Sequence, residues 1–285
     1  MSHNRDDAPL PDFALPDHAV LALEGVDAVT FAQSQFMNDV AALADGQWQW
    51  NGWLTPKGRV IALFALLRID AQTLWLLLPD ITTNEIVPLL QRYVFRSKIV
   101  LKSVDTKVAA NFCAPLQAKA AAFAVTEAGN IELDMGSEAG PRRLLIGGST
   151  SPEDCEAAAH WMQADLAHGL PRLPASQREQ WTPQQLSLDR LRAFSVKKGC
   201  YPGQEIVART HFLGQVKRGL SLYEAPSNLV VGSDVVVGAD RSVGKIICTA
   251  STLALAVVPL DAPTDDLSCG GIALKPMPMR GGLDR

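Results

Sequence analysis

Lys197-Lys198-Gly199-Cys200-Tyr201-Pro202-Gly203-Gln204-Glu205 is the stretch on which the reading of this chain turns. Nine residues bring together a thiol, two cations, two conformationally permissive glycines and an amide–carboxylate pair. Pro202 suits the first position of a helix, which puts Gln204 and Glu205 in the first turn of an Ile206-Val207-Ala208-Arg209 run. Cys200 then lies just ahead of that helix. Unpaired N–H groups and the positive dipole end there, with Lys197 and Lys198, favour a thiolate over a thiol. Glu205 pulls the other way if it faces the sulfur. A lone cysteine is ordinarily a small buried hydrophobe, but the flanking lysines, glycines and helix start argue for a poised one.

Working outward, Pro183-Gln184, Leu188, Leu191 and Ser195 precede this segment. Gly25-Val26-Asp27, Phe31, Gln33 and Asn38-Asp39-Val40 form a second pattern near the N-terminus, and Leu54-Thr55-Pro56-Lys57-Gly58-Arg59 a hairpin. Together these residues resemble the YgfZ family of folate-binding proteins, whose signature reads Lys-Gly-Cys, an aromatic, any residue, then Gly-Gln-Glu. Lys198 to Glu205 match it at every specified position, and the resemblance spans roughly residues 19 to 215. Arg192-Ala193 stands where the family has Gly-Gly, and Ser187 where it has Asn. The resemblance implies an α+β fold like that of the related glycine cleavage T-protein. Three domains would form a ring around a folate channel, with mixed or antiparallel sheets flanked by helices and a small C-terminal β-barrel. The expected division is a mobile leader over 1–18, a discontinuous first domain over 19–45 and 106–170, a second over 46–105 and 171–213, and the barrel over 214–285.

Composition sets independent bounds. A chain of 285 residues suits two or three compact units, and 47% hydrophobic with 20% charged residues is ordinary for a globular protein. Residues 1–12 are polar and acidic and lack the apolar core of a signal peptide, so a cytoplasmic location is expected. Val60 to Leu78, the longest apolar candidate, is interrupted by Arg68 and Asp70, short of the roughly 18 uncharged residues that span a bilayer. A net charge of −4 argues against duplex nucleic acid as the main partner. Five scattered cysteines without a C-x-x-C pair indicate neither a disulfide framework nor a zinc site, and His160, His168 and His211 lack metal-ligand spacing.

Periodicity supplies the elements. A strand over 20–23 and a helix over 27–38 precede strands at 47–54, 60–69 and 73–78. Thr82-Thr83-Asn84-Glu85 is a capping box for a helix over 83–95, and a strand follows over 98–104. Strands are expected at 107–114 and 143–146 with an alanine-rich helix, Leu116 to Val125, between them. Ser151-Pro152-Glu153-Asp154 starts a helix running to about 168, and everything after Gly219 is strand-like. Trp48 and Trp50 share one strand face, either to build a core or to meet a flat ligand.

The resemblance also implies a ligand and partners: tetrahydrofolate or a derivative, and iron–sulfur client or assembly proteins. A pterin with a donor–acceptor edge and an anionic glutamate tail calls for an apolar slot, amides or carboxylates, and a cation. Tyr201, Gly203, Gln204, Glu205 and Arg209 supply that chemistry around the signature, and Gln33, Asn38 and Asp39 on the first helix unit. Cys200 and Lys198 are the expected reactive pair. The alternative is an aminomethyl transferase of the T-protein class. Where those relatives place an Asp-Asp pair holding the catalytic carboxylate, this chain has Ile61-Ala62, which removes the evident proton-handling group.

Overall fold

Residues 60–67, Val-Ile-Ala-Leu-Phe-Ala-Leu-Leu, carry no polar side chain because the strand they form is covered on both faces. The structure, a computed structural model, describes residues 11–147, 151–214, 216–226, 228–238, 241–263 and 266–285. Its first strands are β1 (Phe13–Ala14), β2 (Ala19–Glu24), β3 (Gln47–Leu54), β4 (Val60–Asp70), β5 (Thr73–Leu78) and β6 (Val100–Val104). Then come β7 (Val108–Asn111), β8 (Ala124–Val125), β9 (Ile131–Asp134) and β10 (Arg143–Ile146). The last group is β11 (Arg218–Glu224), β12 (Asp234–Val237), β13 (Arg241–Ala250), β14 (Leu253–Pro259), β15 (Leu267–Cys269), β16 (Ile272–Ala273) and β17 (Lys275–Met277). The helices are α1 (Ala28–Gln35), α2 (Thr83–Gln91), α3 (Cys155–Ala167) and α4 (Gln204–Phe212).

Three antiparallel sheets result, ordered β1-β7-β10-β9-β8, β3-β4-β5-β2-β6 and β16-β15-β12-β13-β14-β11-β17. The seven-stranded sheet is barrel-like. Strand β2 bonds to both β5 and β6, so Ala19–Glu24 lie in the sheet built from strands of 46–105. The leader expected over 1–18 lies outside the described residues for 1–10, and β1 already pairs with β7 before residue 19. Alternation along β4 sends Leu63, Ala65 and Leu67 to a core shared with the other two sheets and Ala62, Phe64 and Leu66 to a second core under α1 and α2, while the register shift opposite Leu54 reverses the sense at Val60 and Ile61. Among the described residues no helix is long and apolar enough to cross a membrane.

The alanine-rich segment 116–125 is not a helix. The Glu132 carboxylate accepts N–H bonds from Leu116, Gln117 and Ala118 at 2.8, 2.8 and 3.0 Å, and Asp134 accepts that of Ala120 at 2.8 Å. The Trp48 indole and backbone N–H take Ala120 O and Ala121 O. Tertiary partners thus claim the groups a helix would pair internally, overriding alanine's propensity. Burial opposes the charge on Glu132, but the three N–H bonds and Arg143 outweigh it and hold the carboxyl below its usual range. Helix α1 is shorter than expected because Phe36 turns extended and bridges to Trp53. Helix α2 keeps its capping box but stops at Gln91.

Candidate functional site

Helix α4 starts at Gln204, not at Pro202 as expected, because Gly203 is its N-cap with φ +80°. A Cβ on Gly203 would stand 2.6 Å from Gly58 Cα and 2.7 Å from Thr55 O. Gly58, itself at φ +69°, faces Ile206, whose Cβ would be 2.9 Å from an added Cβ. Two glycines therefore let the turn between β3 and β4 seat directly on the start of α4. Arg59 extends the junction, its Nη1 donating to Gln180 O at 2.8 Å and Gln185 Oε1 at 3.0 Å.

Lys198 is only 6% exposed. Its Nζ donates to Phe36 O at 2.6 Å and Asn38 O at 2.9 Å, just past α1, and lies 5.0 Å over the Tyr201 ring. Burial lowers its pKa to about 8 against the opposing pull of Asp39. The head group expected beside Cys200 is thus committed to the interior, while Lys197 is exposed. Gln204 Nε2 closes the loop onto Lys198 O at 3.0 Å, and the Tyr201 hydroxyl donates to Ser195 O at 3.2 Å. Burial pushes the Tyr201 phenol up to about 12.

Asn38 is a buried cross-link. Its amide donates to Trp50 O at 2.9 Å and Arg192 O at 2.7 Å, and its Oδ1 accepts from Asp39 N, leaving no free donor for a ligand. Gln33 Oε1 accepts from Val40 N and Ala41 N, and its Nε2 donates to Asp39 Oδ1 at 3.0 Å. The structure joins Lys198 to Asn38 as a clasp, with Gln204 bonded to Lys198 and Tyr201 under its amine, Gln33 and Asp39 bonded to each other beside Asn38, and Gly203 seated apart on the β3–β4 turn. Glu205 and Arg209 stand apart, exposed on α4, and Cys200 is exposed ahead of it. Cys269 is buried, whereas Cys155 is exposed.

A second constellation sits where the sheets meet. A cavity of about 20 Å3 lies between Trp50 and Trp161, walled by Leu77, Leu133, Met135 and Leu144 and edged by His18, Asp165 and Arg172. Asp165 Oδ1 accepts from Arg142 Nη1 at 2.9 Å, and its Oδ2 lies 3.7 Å from Arg172 Nε. Arg172 Nη1 reaches Asp80 at 3.4 Å. Burial raises the Asp80 pKa, with Arg172 pulling it down. Burial, then Arg172, hold His18 well below its usual range, so its imidazole is neutral. His18 Nδ1 and Arg142 Nε and Nη2 are buried without hydrogen-bond partners. The Arg142 guanidinium lies 4.6 Å over the Trp161 ring, and Trp50 Nε1 donates to Leu283 O at 2.7 Å. Pro79 and Arg172 also line a groove of about 520 Å3, and His18 another of about 350 Å3. Apart from Trp50, sequence reasoning missed this cluster. The available signal was a charge inside apolar runs, Ala164-Asp165-Leu166 and Leu170-Pro171-Arg172-Leu173.

No family model matches the chain. It is 26% identical over 229 residues to an uncharacterized protein of Haemophilus influenzae, covering 78% of this chain and 77% of that one. Its structure is similar to the crystal structure of glycine cleavage system aminomethyltransferase T from Bartonella henselae, with a TM-score of 0.70 and 14% identity over 96% of this chain and 88% of that chain. The chain therefore has the fold of aminomethyltransferase T.

Proposed function

We propose that this protein binds a reduced folate at the junction of its sheets and supports assembly or repair of iron–sulfur clusters in client proteins through Cys200. One observation carries the folate half. In a T-protein-like fold, the cavity has two indole walls and, at its edge, the buried His18 Nδ1 without a partner. Trp50 and Trp161 would hold a flat ring, with His18, Asp165 and Arg172 meeting its donor–acceptor edge. The chemistry fits, but the volume holds a water and not a pterin. Binding therefore parts the walls toward the grooves at His18 and Arg172. Bound folate would supply a one-carbon carrier; the protein residues named here bind, orient and exclude water.

The cluster half rests on the signature resemblance and on the exposure of Cys200, which a client's cluster or thiol can reach. The transferase reading finds no support at Ile61-Ala62, whose side chains are buried against α1 and α2 with no carboxylate. Purified protein should release no ammonia from an aminomethyl-lipoyl donor in the presence of tetrahydrofolate, and release would favour the transferase. The cluster role is tested by Cys200→Ala. Folate binding should persist while cellular cluster-enzyme activity falls, and wild-type activity in that strain would remove the thiol from the account.

A further inference from the structure

Strand β6 ends the sheet ordered β3-β4-β5-β2-β6. It pairs with β2 on one side, and the backbone groups along its other side have no partner among the described residues. Three large apolar side chains stand in solvent before and at its start: Phe95, in the preceding loop, is 84% exposed, Val100 63% and Val26 58%. Glu24 at the end of β2 pairs with Val100, so the turn carrying Val26 leaves the sheet beside the start of β6. The loop before β6 is also pinned over Gly25, where any Cβ would collide with Lys98 O, and Asp27 Oδ2 accepts the Lys98 N–H at 2.7 Å. This end of the sheet is therefore a fixed surface.

Cations outnumber carboxylates here. Residues 91–104 contain Arg92, Arg96, Lys98 and Lys102 and no carboxylate, against Glu24 and Asp27 on the adjoining segment, in a chain whose net charge is −4. Among the described residues the first three make no ion pair, and exposed Lys102 stands 3.8 Å from Glu24. Arg96 lies over the Phe95 ring at 5.3 Å.

We propose that β6 accepts an extended acidic segment of a partner protein as an added strand. Apolar side chains of the segment rest on Phe95, Val100 and Val26, and its carboxylates meet Arg92, Arg96, Lys98 and Lys102. Strand addition satisfies the open N–H and C=O groups of the edge, which a lipid surface cannot do. A second copy of this chain would set the same cations against each other. The lysines that guard the edge against self-pairing select a partner of opposite charge. This inference does not depend on the folate reading.

The probe is a fluorescein-labelled alternating Glu-Val octapeptide titrated into the full chain and followed by anisotropy. Saturable, salt-weakened binding is expected, with amide exchange slowed at 100–104 and no binding of the Lys-Val counterpart. Phe95→Ser and Arg96→Glu touch exposed side chains, so each should keep the melting temperature while weakening binding by about tenfold or more. The proposal is overturned by no binding at millimolar peptide, by equal binding of the Lys-Val peptide, or by protection elsewhere. Binding to phosphatidylglycerol vesicles that the Glu-Val peptide does not relieve would overturn it in favour of a membrane. A dimer that disappears in Phe95→Ser would overturn it in favour of a second copy.

Discussion

Lys198 shows how one side chain joins two distant segments. Its amine donates to Phe36 O and Asn38 O whether charged or neutral, but burial penalises only the charged form. The folded pKa of about 8 lies below the unfolded value of about 10.4, so the unfolded chain holds the extra proton between them. Stability contributed by this group therefore rises with pH across that window. Lys198→Met should flatten the rise and, by orphaning two carbonyls, cost about 1–3 kcal/mol in denaturant melts at neutral pH. A mutant as stable as wild type, with the rise intact, would show that the clasp contributes nothing. The cysteines give a second residue-scale prediction. Limited iodoacetamide treatment with mass-spectrometric mapping should mark exposed Cys200 and Cys155 first, then Cys113. Buried Cys248, whose thiol burial pushes up to about 12, and buried Cys269 should react only on unfolding. Early labelling of Cys248 would contradict the barrel packing.

Among elements, the junction between α4 and the β3–β4 turn depends on two glycines. Gly203→Ala places a Cβ against Gly58 and Thr55 and forces a left-handed alanine, so it should cost about 1–3 kcal/mol from backbone conformation, with the overlap adding to that. A melt unchanged from wild type would mean that the turn yields freely. Much at this scale was legible in the sequence. The capping box at Thr82 fixed the start of α2, and the apolar run over 60–69 announced a strand. The segment 116–125 was not legible, since its helix propensity is overridden by Glu132 and Asp134, which reach back 14 to 16 residues to bond Leu116, Gln117, Ala118 and Ala120. Gly203 as N-cap was hidden for a similar reason: its positive φ answers a backbone 145 positions away, at Gly58.

At the scale of the whole molecule, residues from all three sheets share one core, and the cavity between Trp50 and Trp161 lies within it. The signature and the T-protein-like fold could be read from the sequence, but this cluster could not. His18, Arg142, Asp165 and Arg172 come from four separate segments, and no spacing rule links them. If reduced folate enters here, a hundredfold excess over its dissociation constant should stabilise the protein by about 2.7 kcal/mol. The most direct test is calorimetric titration of tetrahydrofolate into wild type and into Ala65→Val, which adds bulk to the cavity wall. The account predicts saturable binding to wild type and affinity weaker by about tenfold or more in a folded Ala65→Val protein. No heat of binding at millimolar folate, or equal affinity in the two proteins, would contradict it.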